Sequence, residues 1–256
     1  MAKKGKERKR RDGGEAGFLA EYEAGHFARP SLTVDVALLT ATDVSLHALL
    51  LHRRQHPEME RWGLPGGFVA YDEGLDEAAA RVLREKTGLS GVFLEQLYTF
   101  GEPSRDPRTR VVTVAYYALV PIGRLMGAGV PGGEPWQLAR LRVPWAGEAG
   151  GPVDAEDGTG ATLALAFDHG EILGMAVKRV RGKLDYAPIG FQLLPDSFSL
   201  RALQQIHEVI SGRRLNKDSF RRRMLASGQL EATGERRTDV EYRPPELYRL
   251  VRPPSA

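Results

Sequence analysis

The sequence predicts an α+β fold: a first part of strands and helices, followed by a small domain of two helices and a β-hairpin. Apolar, β-branched stretches around one amphipathic helix predict the strands and the helix of the first part. The breakers Pro188 and Pro195 mark a boundary, and apolar residues recur at helical spacing after Ser199. We therefore expect one domain over residues 29–190 and a second over residues 191–256, each with its own core.

The first domain carries four clear secondary-structure patterns. Dense Val, Ala and Leu over residues 31–51 predict a hairpin, and a similar concentration over residues 110–120 predicts a buried strand. Residues 76–86 are rich in Ala, Leu, Arg and Glu and stop at Gly88, which predicts a helix with a glycine C-cap. A further helix is expected over residues 168–181.

Composition excludes several classes of protein. With 256 residues and 42% hydrophobic composition the chain has enough apolar material for a core. It contains no cysteine, which excludes disulfides, thiolate zinc sites and cysteine nucleophiles, and its six histidines are too scattered to predict a zinc site. No apolar run approaches the roughly 18 residues that cross a bilayer, so we expect a cytoplasmic protein with no membrane partner.

The net charge of +3 is small, but the positive charge is unevenly distributed. One cluster lies in residues 1–28, which we expect to be a disordered basic tail, either solvated or a nonspecific phosphate-contacting arm. Its cations are Lys3, Lys4, Lys6, Arg8, Lys9, Arg10 and Arg11. The second cluster lies within residues 213–223. Residues 147–159, rich in Gly, Ala, Glu and Asp, predict a mobile acidic loop to which we assign no chemistry.

An ordered motif spans residues 67–89. Its positions are Gly67, Glu73, Arg81, Leu83, Glu85, Gly88 and Leu89, entered through Leu64, Pro65 and Gly66. The motif resembles the Nudix box, in which these residue types stand at these intervals. An ordinary amphipathic helix after a Gly-rich loop would not supply these spacings. The resemblance implies the Nudix fold, an α/β/α sandwich with a mixed sheet.

Two positions of the box, 82 and 86, depart from the pattern of active family members. Positions 82, 85 and 86 share one helical face, where active members place three carboxylates that hold divalent cations such as Mg²⁺. This chain has Val82, Glu85 and Lys86 there. We therefore expect no enzyme, no catalytic residue and no metal. The alternative is an active ADP-ribose pyrophosphatase that uses Glu73, Glu85 and a carboxylate outside the box.

The loop before the predicted strand at 110–120 resembles a segment of ADP-ribose-binding Nudix proteins. It presents Arg105 and Arg108, whose guanidinium groups suit phosphate or ribose oxygens. A purely structural turn stabilised by Asp106 is the alternative. We interpret Asp168 and His169 as helix caps. The predicted effector-binding residues are Arg105, Arg108, Gly67, Arg81, Glu85 and Lys86. Lys86 either binds a pyrophosphate in place of a metal or is simply solvated.

The second domain has the order helix, basic helix, hairpin. A first helix begins at Ser199 and ends at Gly212, and Asn216 caps a second helix that runs to about residue 226. Phe220 and Met224 should face the core, which turns Asp218 and Arg222 outward. Short strands at 229–233 and 247–251 surround a polar loop. This order is typical of a winged helix-turn-helix.

The second helix concentrates cationic charge suited to phosphate contacts and base reading in a major groove. The predicted DNA-binding residues are Arg214, Lys217, Ser219, Arg221, Arg222, Arg223, Arg236 and Arg237. A charged surface helix with no nucleic-acid role is the alternative.

Four segments of the second domain, 191–195, 198–205, 219–223 and 243–249, resemble Nudix-related transcriptional regulators of NAD metabolism. The resemblance implies a homodimeric repressor that binds a double-stranded DNA operator. It implies no cofactor, and an effector that is ADP-ribose or a related NAD-derived nucleotide. Genes of sugar catabolism are an alternative set of targets, and an RNA-binding Nudix module is an alternative function.

Overall fold

The computed structural model describes residues 14–42, 44–127, 133, 135–236 and 245–251. The chain divides into two compact units, Met1–Pro30 and Ser31–Ala256. The predicted cationic cluster of the tail and the predicted DNA contact Arg237 lie outside the described residues.

The first unit contains helix α1 (Gly14–Glu21) and a 3-10 turn (Ala24–His26). The sequence predicts a disordered tail over these residues, and this prediction is wrong for α1. Ala and Glu favour the helix, and the rings of Phe18 and Tyr22, four residues apart, lie 5.7 Å from each other. No residue of α1 is buried.

The second unit is built on a mixed sheet, as predicted. Its strands are β1 (Ser31–Ala41), β2 (Leu46–His52), β3 (Trp62–Gly63), β4 (Gly66–Phe68), β5 (Glu95–Phe100), β6 (Val111–Leu119), β7 (Trp136–Arg142), β8 (Asp154–Glu156) and β9 (Thr162–Leu163). The strand order is β5-β6-β1-β2-β7-β8-β9, with β3 beside β2 and β4 beside β1. Strands β1 and β6 are parallel and the remaining pairs are antiparallel. The predicted hairpin and the predicted strand at 110–120 are confirmed.

Helices cover both faces of this sheet. Helix α2 (Leu75–Thr87) begins where Glu77 accepts the Gly74 N–H at 3.0 Å and ends at Gly88, whose φ of +72° is the left-handed cap predicted for it. The short helix α3 (Ile122–Gly127) follows β6, and helix α4 (His169–Lys183) covers the opposite face. The two longer helices confirm the expectations from sequence.

The C-terminal part has the predicted order of elements. Its helices are α5 (Leu200–Ser211) and α6 (Lys217–Ala226), and its strands β10 (Phe198–Ser199), β11 (Leu230–Arg236) and β12 (Glu246–Leu250) pair in the order β10-β12-β11. Ser199 Oγ accepts the Ala202 N–H at 3.2 Å, and Asn216 Oδ1 accepts the Ser219 N–H at 3.0 Å. Both caps were expected, and the winged helix-turn-helix is confirmed.

The apolar cores do not follow the expected division by domain. One cluster lies between the sheet and α2 and includes Leu38 and Leu83. The other lies between the sheet and α4 and continues without a break to Leu203 of α5 and Phe220 of α6. The expectation of a separate core for each domain is wrong, because the 3-10 segment Pro188–Leu193 buries its own apolar residues between the two parts instead of forming an exposed linker.

The acidic segment 147–159 also differs from expectation, because it contains strand β8. Ala155 is fully buried in this strand, and the carboxylate of Glu156 pairs with Arg140 on β7 at 3.1 Å. Asp157 then closes a turn by accepting the Thr159 and Ala161 N–H groups. The acidic residues are therefore partners of arginines and turn-forming groups, and the prediction of a mobile loop is wrong for this strand.

Protonation of His207 should destabilise the winged helix in acid. The ring is 4% exposed, packs against Phe220 at 5.1 Å, and its burial lowers the pKa from 6.5 to about 4. Between these pH values the unfolded chain binds more protons than the folded chain, so stability falls as pH falls.

The free energy of unfolding should decrease by about 2 kcal/mol from pH 8 to pH 5 through His207 alone. Urea titrations of the wild type and His207→Leu at both pH values measure this difference. The matched control is His26→Leu, because the His26 side chain is 71% exposed. An equal pH dependence in the wild type and His207→Leu contradicts the prediction.

Candidate effector cleft and nucleic-acid interface

A cleft of about 420 Å³ opens where the loop after β5 meets the loop before β3 and the start of α4. Among its lining residues are Glu58, Arg61, Phe100, Arg105, Phe167, Asp168 and Glu171. Polar and aromatic side chains thus surround one buried guanidinium, that of Arg105. The lining carries four carboxylates and two arginines, so an anionic group of a ligand can be bound only at Arg61 and Arg105, while Phe100 and Phe167 can contact an aromatic group.

Arg105 is held by two carboxylates at the base of this cleft. Its Nε and Nη2 donate to Asp168 at 2.8 and 2.7 Å, and Nη2 lies 3.5 Å from Asp35. The side chain is 5% exposed. Burial opposes the charge, but the hydrogen bonds to Asp168 and the negative charges of Asp168, Asp35 and Asp106 together raise the pKa of Arg105. An anionic ligand must therefore compete with Asp168 for this guanidinium.

Asp168 and His169 do not act as the side-chain caps we predicted. Asp168 occupies the N-cap position of α4, but its carboxylate is turned to Arg105 and makes no capping hydrogen bond. His169 is buried, which lowers its pKa, and its Nδ1 accepts the Leu64 N–H at 2.9 Å. Both residues therefore tie the start of α4 to neighbouring parts of the sheet domain.

Arg108 and Asp106 form the stabilised turn that the sequence left open as an alternative. The Asp106 carboxylate accepts hydrogen bonds from the Arg108 backbone N–H at 2.9 Å and from the Arg108 guanidinium at 3.0 and 2.7 Å. These hydrogen bonds lower the pKa of Asp106. The Arg108 guanidinium also lies 5.6 Å from the centre of the Phe68 ring and is half-exposed. The turn thus holds Arg108 over an exposed aromatic face.

The motif residues on α2 form a second group. Arg81 donates to Glu73 at 2.9 Å, to the Phe68 carbonyl at 3.0 Å and to Glu85 at 3.2 Å. The hydrogen bond from Arg81 lowers the pKa of Glu73 to about 2. Val82 is buried, and a Cβ at Gly67 would lie 3.0 Å from its Cγ2.

The structure does not bring the six predicted effector residues into one pocket. Arg105 lines the cleft. Arg108 is absent from the described lining, and so are Gly67, Arg81, Glu85 and Lys86, which lie on or beside α2. Glu85 is exposed and Lys86 is partly buried. In the described part of the chain, no three His, Cys, Asp or Glu side chains are grouped to hold a metal ion.

Helix α6 presents a cationic outer face. Phe220 and Met224 are buried, and Asp218 and Arg222 are exposed, as predicted. The other predicted DNA contacts that are exposed are Arg214, Lys217, Ser219, Arg221 and Arg223. Arg236 is the last residue of β11. The recognition-type helix is thus anchored by two apolar residues and charged on the side that faces solvent.

A groove of about 630 Å³ separates α5 from the start of α6 and β12. Four cations line it: Arg201, Arg214, Lys217 and Arg221. The sequence did not predict Arg201 as a DNA contact, because it lies outside the basic run near α6. Its position in the first turn of α5, on the face opposite the buried Leu203, was the available signal.

Comparisons with known proteins agree with this arrangement. A model of the NUDIX domain matches residues 30–145, and a model of the NrtR DNA-binding winged helix domain matches residues 190–250. The ADPR responsive transcriptional repressor NtrR of Acinetobacter baylyi is 35% identical over 239 residues, which cover 93% of this chain and 88% of that protein. The chain belongs to the NrtR family of transcriptional regulators.

Two crystal structures of Shewanella oneidensis NrtR are also similar to this member of the NrtR family. The complex with a 27mer DNA has 35% identity, a TM-score of 0.68, and coverage of 86% of this chain and 93% of that one. The NUDIX domain complexed with ADP ribose has 32% identity, a TM-score of 0.50, and coverage of 65% and 99%. Within the described residues, no helix has the length and apolarity to cross a bilayer.

Removal of the Arg105 side chain should destabilise the fold by about 3–5 kcal/mol, because Asp168 and Asp35 then lose their buried counter-charge. The matched control is Arg61→Ala. Arg61 lines the same cleft but is half-exposed and pairs with Glu58, so its loss should cost less than about 1 kcal/mol. Urea unfolding of both variants measures the difference, and equal losses refute the assigned role of Arg105.

Proposed function

We propose that the protein is a DNA-binding transcriptional repressor of NAD-metabolism genes, controlled by ADP-ribose or a related NAD-derived nucleotide bound to its Nudix domain. The observation that carries the proposal is the packing of a cationic winged helix onto a Nudix domain through one apolar core. The relatives named as an ADPR responsive repressor, and as NrtR in complex with DNA and with ADP ribose, support it.

Helix α6 is the DNA reader in this proposal. Its exposed arginines, with Arg222 at the centre, enter the major groove, while the flanking Arg214 and Lys217 contact phosphates. Arg236, the last residue of β11, belongs to the wing, and Arg237 is a further proposed DNA contact. Two copies of the chain bind as a homodimer to the two half-sites of a palindromic operator. Because the operator is chromosomal DNA, the proposed location of the protein is the cytoplasm.

The Nudix domain senses a nucleotide in this proposal and does not hydrolyse it. Val82 is buried and supplies no oxygen ligand, and Lys86 adds a positive charge where active members carry a carboxylate. Arg81 already binds the two remaining carboxylates of the box, Glu73 and Glu85. These residues do not fit a divalent metal site, so the effector is bound and released unchanged.

Arg105 and Arg108 supply the positive charge for the diphosphate. Both carry planar guanidinium groups, which match phosphate oxygens in pairs. Gly67, Arg81, Glu85 and Lys86 stay in the proposed contact set, and because they lie on or beside α2, outside the cleft, they would contact a part of the effector that extends out of it. No cofactor is required, because ligand binding alone shifts the equilibrium between operator-binding and operator-releasing states.

Operator binding in the presence and absence of ADP-ribose tests this function. We expect specific binding to a duplex from upstream of NAD-biosynthesis genes at fixed salt, and weaker binding when ADP-ribose is added. Fluorescence anisotropy gives both affinities, and chromatography of the same mixture with Mg²⁺ measures AMP. Formation of AMP that Glu85→Gln abolishes would establish the pyrophosphatase instead, and a protein without specific DNA binding would refute the repressor.

Arg222→Ala should weaken specific operator binding by about 1–3 kcal/mol, because the variant loses a base contact in the major groove. The matched control is Arg84→Ala, which removes an exposed arginine from α2 of the Nudix domain and should leave the affinity unchanged. Anisotropy titrations with the operator and with a random duplex measure the effect. An equal loss on both duplexes means that Arg222 contacts only phosphate.

A further inference from the structure

Helix α4 contacts the effector cleft at one end and the winged helix at the other. Asp168 at its N-cap lines the cleft and binds Arg105. Arg181 in its last turn binds α5, and Asp185, just beyond its end, binds α6. Between these ends Ile172, Leu173, Ala176, Val177 and Val180 are fully buried. Because these side chains are closely packed, the helix transmits displacement rather than absorbing it.

The C-terminal contact depends mainly on Arg181. Its Nε donates to the Ile210 carbonyl of α5 at 2.8 Å, and its Nη1 donates to the Trp145 and Gly147 carbonyls at 3.2 and 3.0 Å. The guanidinium also stacks on the Trp145 ring at 4.8 Å. One side chain of α4 therefore holds the last turn of α5, the helix that precedes the recognition helix.

Glycine at position 212 leaves room for this contact. Gly212 ends α5 with a φ of +69°, and a Cβ there would lie 3.1 Å from Arg181 Nη2. The guanidinium therefore fills the space beside the end of α5. A second, exposed contact joins Asp185 to Arg223 of α6 at 3.3 Å. Water and salt screen this pair, so Arg181 makes the stronger of the two contacts between α4 and the winged helix.

The N-terminal contact is the one a ligand would break. The Arg105 guanidinium donates hydrogen bonds from Nε and Nη2 to Asp168, and the next carboxylate is that of Asp35, 3.5 Å from Nη2. A phosphate that binds Arg105 through a pair of hydrogen bonds must displace Asp168 from the same atoms. The displaced carboxylate is also repelled by the phosphate, so the start of α4 moves away from the cleft.

We propose that Asp168 is the positioning residue through which the effector acts: a diphosphate displaces it from Arg105, α4 shifts, and Arg181 carries the shift to α5 and the recognition helix. The coupling rests on the proposed function, since it assumes an anionic effector in the cleft. Asp168 thus competes with the ligand, and the binding free energy of the diphosphate, reduced by the cost of breaking the ion pair, drives the change in DNA affinity.

Asp168→Asn tests the N-terminal end. The amide keeps the shape of the side chain but not its charge, so the phosphates of ADP-ribose no longer compete with a carboxylate. We expect isothermal titration calorimetry to show about tenfold tighter binding of ADP-ribose. The ratio of operator affinities without and with ADP-ribose should fall from the wild-type value, about 5–150-fold for ordinary allosteric coupling, towards 1.

Arg181→Lys tests the other end, outside the cleft. Lysine keeps the charge but does not stack and donate to three carbonyls in one plane. The affinity for ADP-ribose in the absence of DNA should remain that of the wild type, while the ratio of operator affinities falls. The matched control is Asp196→Asn, which removes an exposed carboxylate near the start of the winged helix and should leave the ratio unchanged.

The outcomes separate the coupling from the proposed function. A wild-type protein whose operator affinity ignores ADP-ribose overturns the proposed function and the coupling with it. If the wild type responds to ADP-ribose but Asp168→Asn loses affinity for it, Asp168 is a ligand contact. That result overturns the coupling and leaves the proposed function standing. The coupling is also overturned if Asp168→Asn keeps the wild-type ratio of operator affinities without and with ADP-ribose. If Arg181→Lys fails to fold by circular dichroism, Asp168→Asn alone decides.

Discussion

The continuous apolar core beneath α4 is the constraint on which the rest of the molecule depends. It runs from the sheet through Ile172 and Val177 to Leu203 and Phe220, so the reader helix and the sensor sheet pack against the same residues. Close-packed interiors resist small independent displacements of their parts. A change at the start of α4 is therefore a change for the winged helix as well.

The charges of the sensor are arranged so that they are satisfied before any ligand arrives. Arg105 is bound by Asp168, Arg108 by Asp106, and Arg81 by Glu73 and Glu85. Each pair offsets the cost of burying or ordering its arginine. A nucleotide diphosphate can bind these guanidinium groups only if it replaces the carboxylates that already bind them. The exchange of partners connects binding to structure, which a site of solvated arginines would not do.

The sequence predicted the features that depend on local spacing. The box at 67–89, the helix ending at Gly88 and the caps at Ser199 and Asn216 follow from residues close in the chain, and so does the outward face of α6. The missed features join distant residues. Arg105 and Asp168 are 63 positions apart, and a carboxylate that leaves its capping role for such a partner gives no local signal.

The shared core was missed for the same reason. Pro188 and Pro195 are typical of a boundary, but the apolar residues of the segment Pro188–Leu193 pack between the two parts instead of leaving a linker. Strand β8 was hidden by its acidic composition, since its pairing with arginines of β7 is visible only in the folded chain. Composition alone predicted solvent exposure where the sheet supplies partners.

The most direct test of the shared core is whether sensor and reader unfold together. The three tryptophans, Trp62, Trp136 and Trp145, lie in the Nudix part, so their fluorescence in urea reports the sensor. Hydrogen exchange of α6 amides at the same urea concentrations reports the reader. We expect one urea midpoint for both signals, because the core is continuous. Exchange of α6 well below the urea concentration at which fluorescence changes would contradict it.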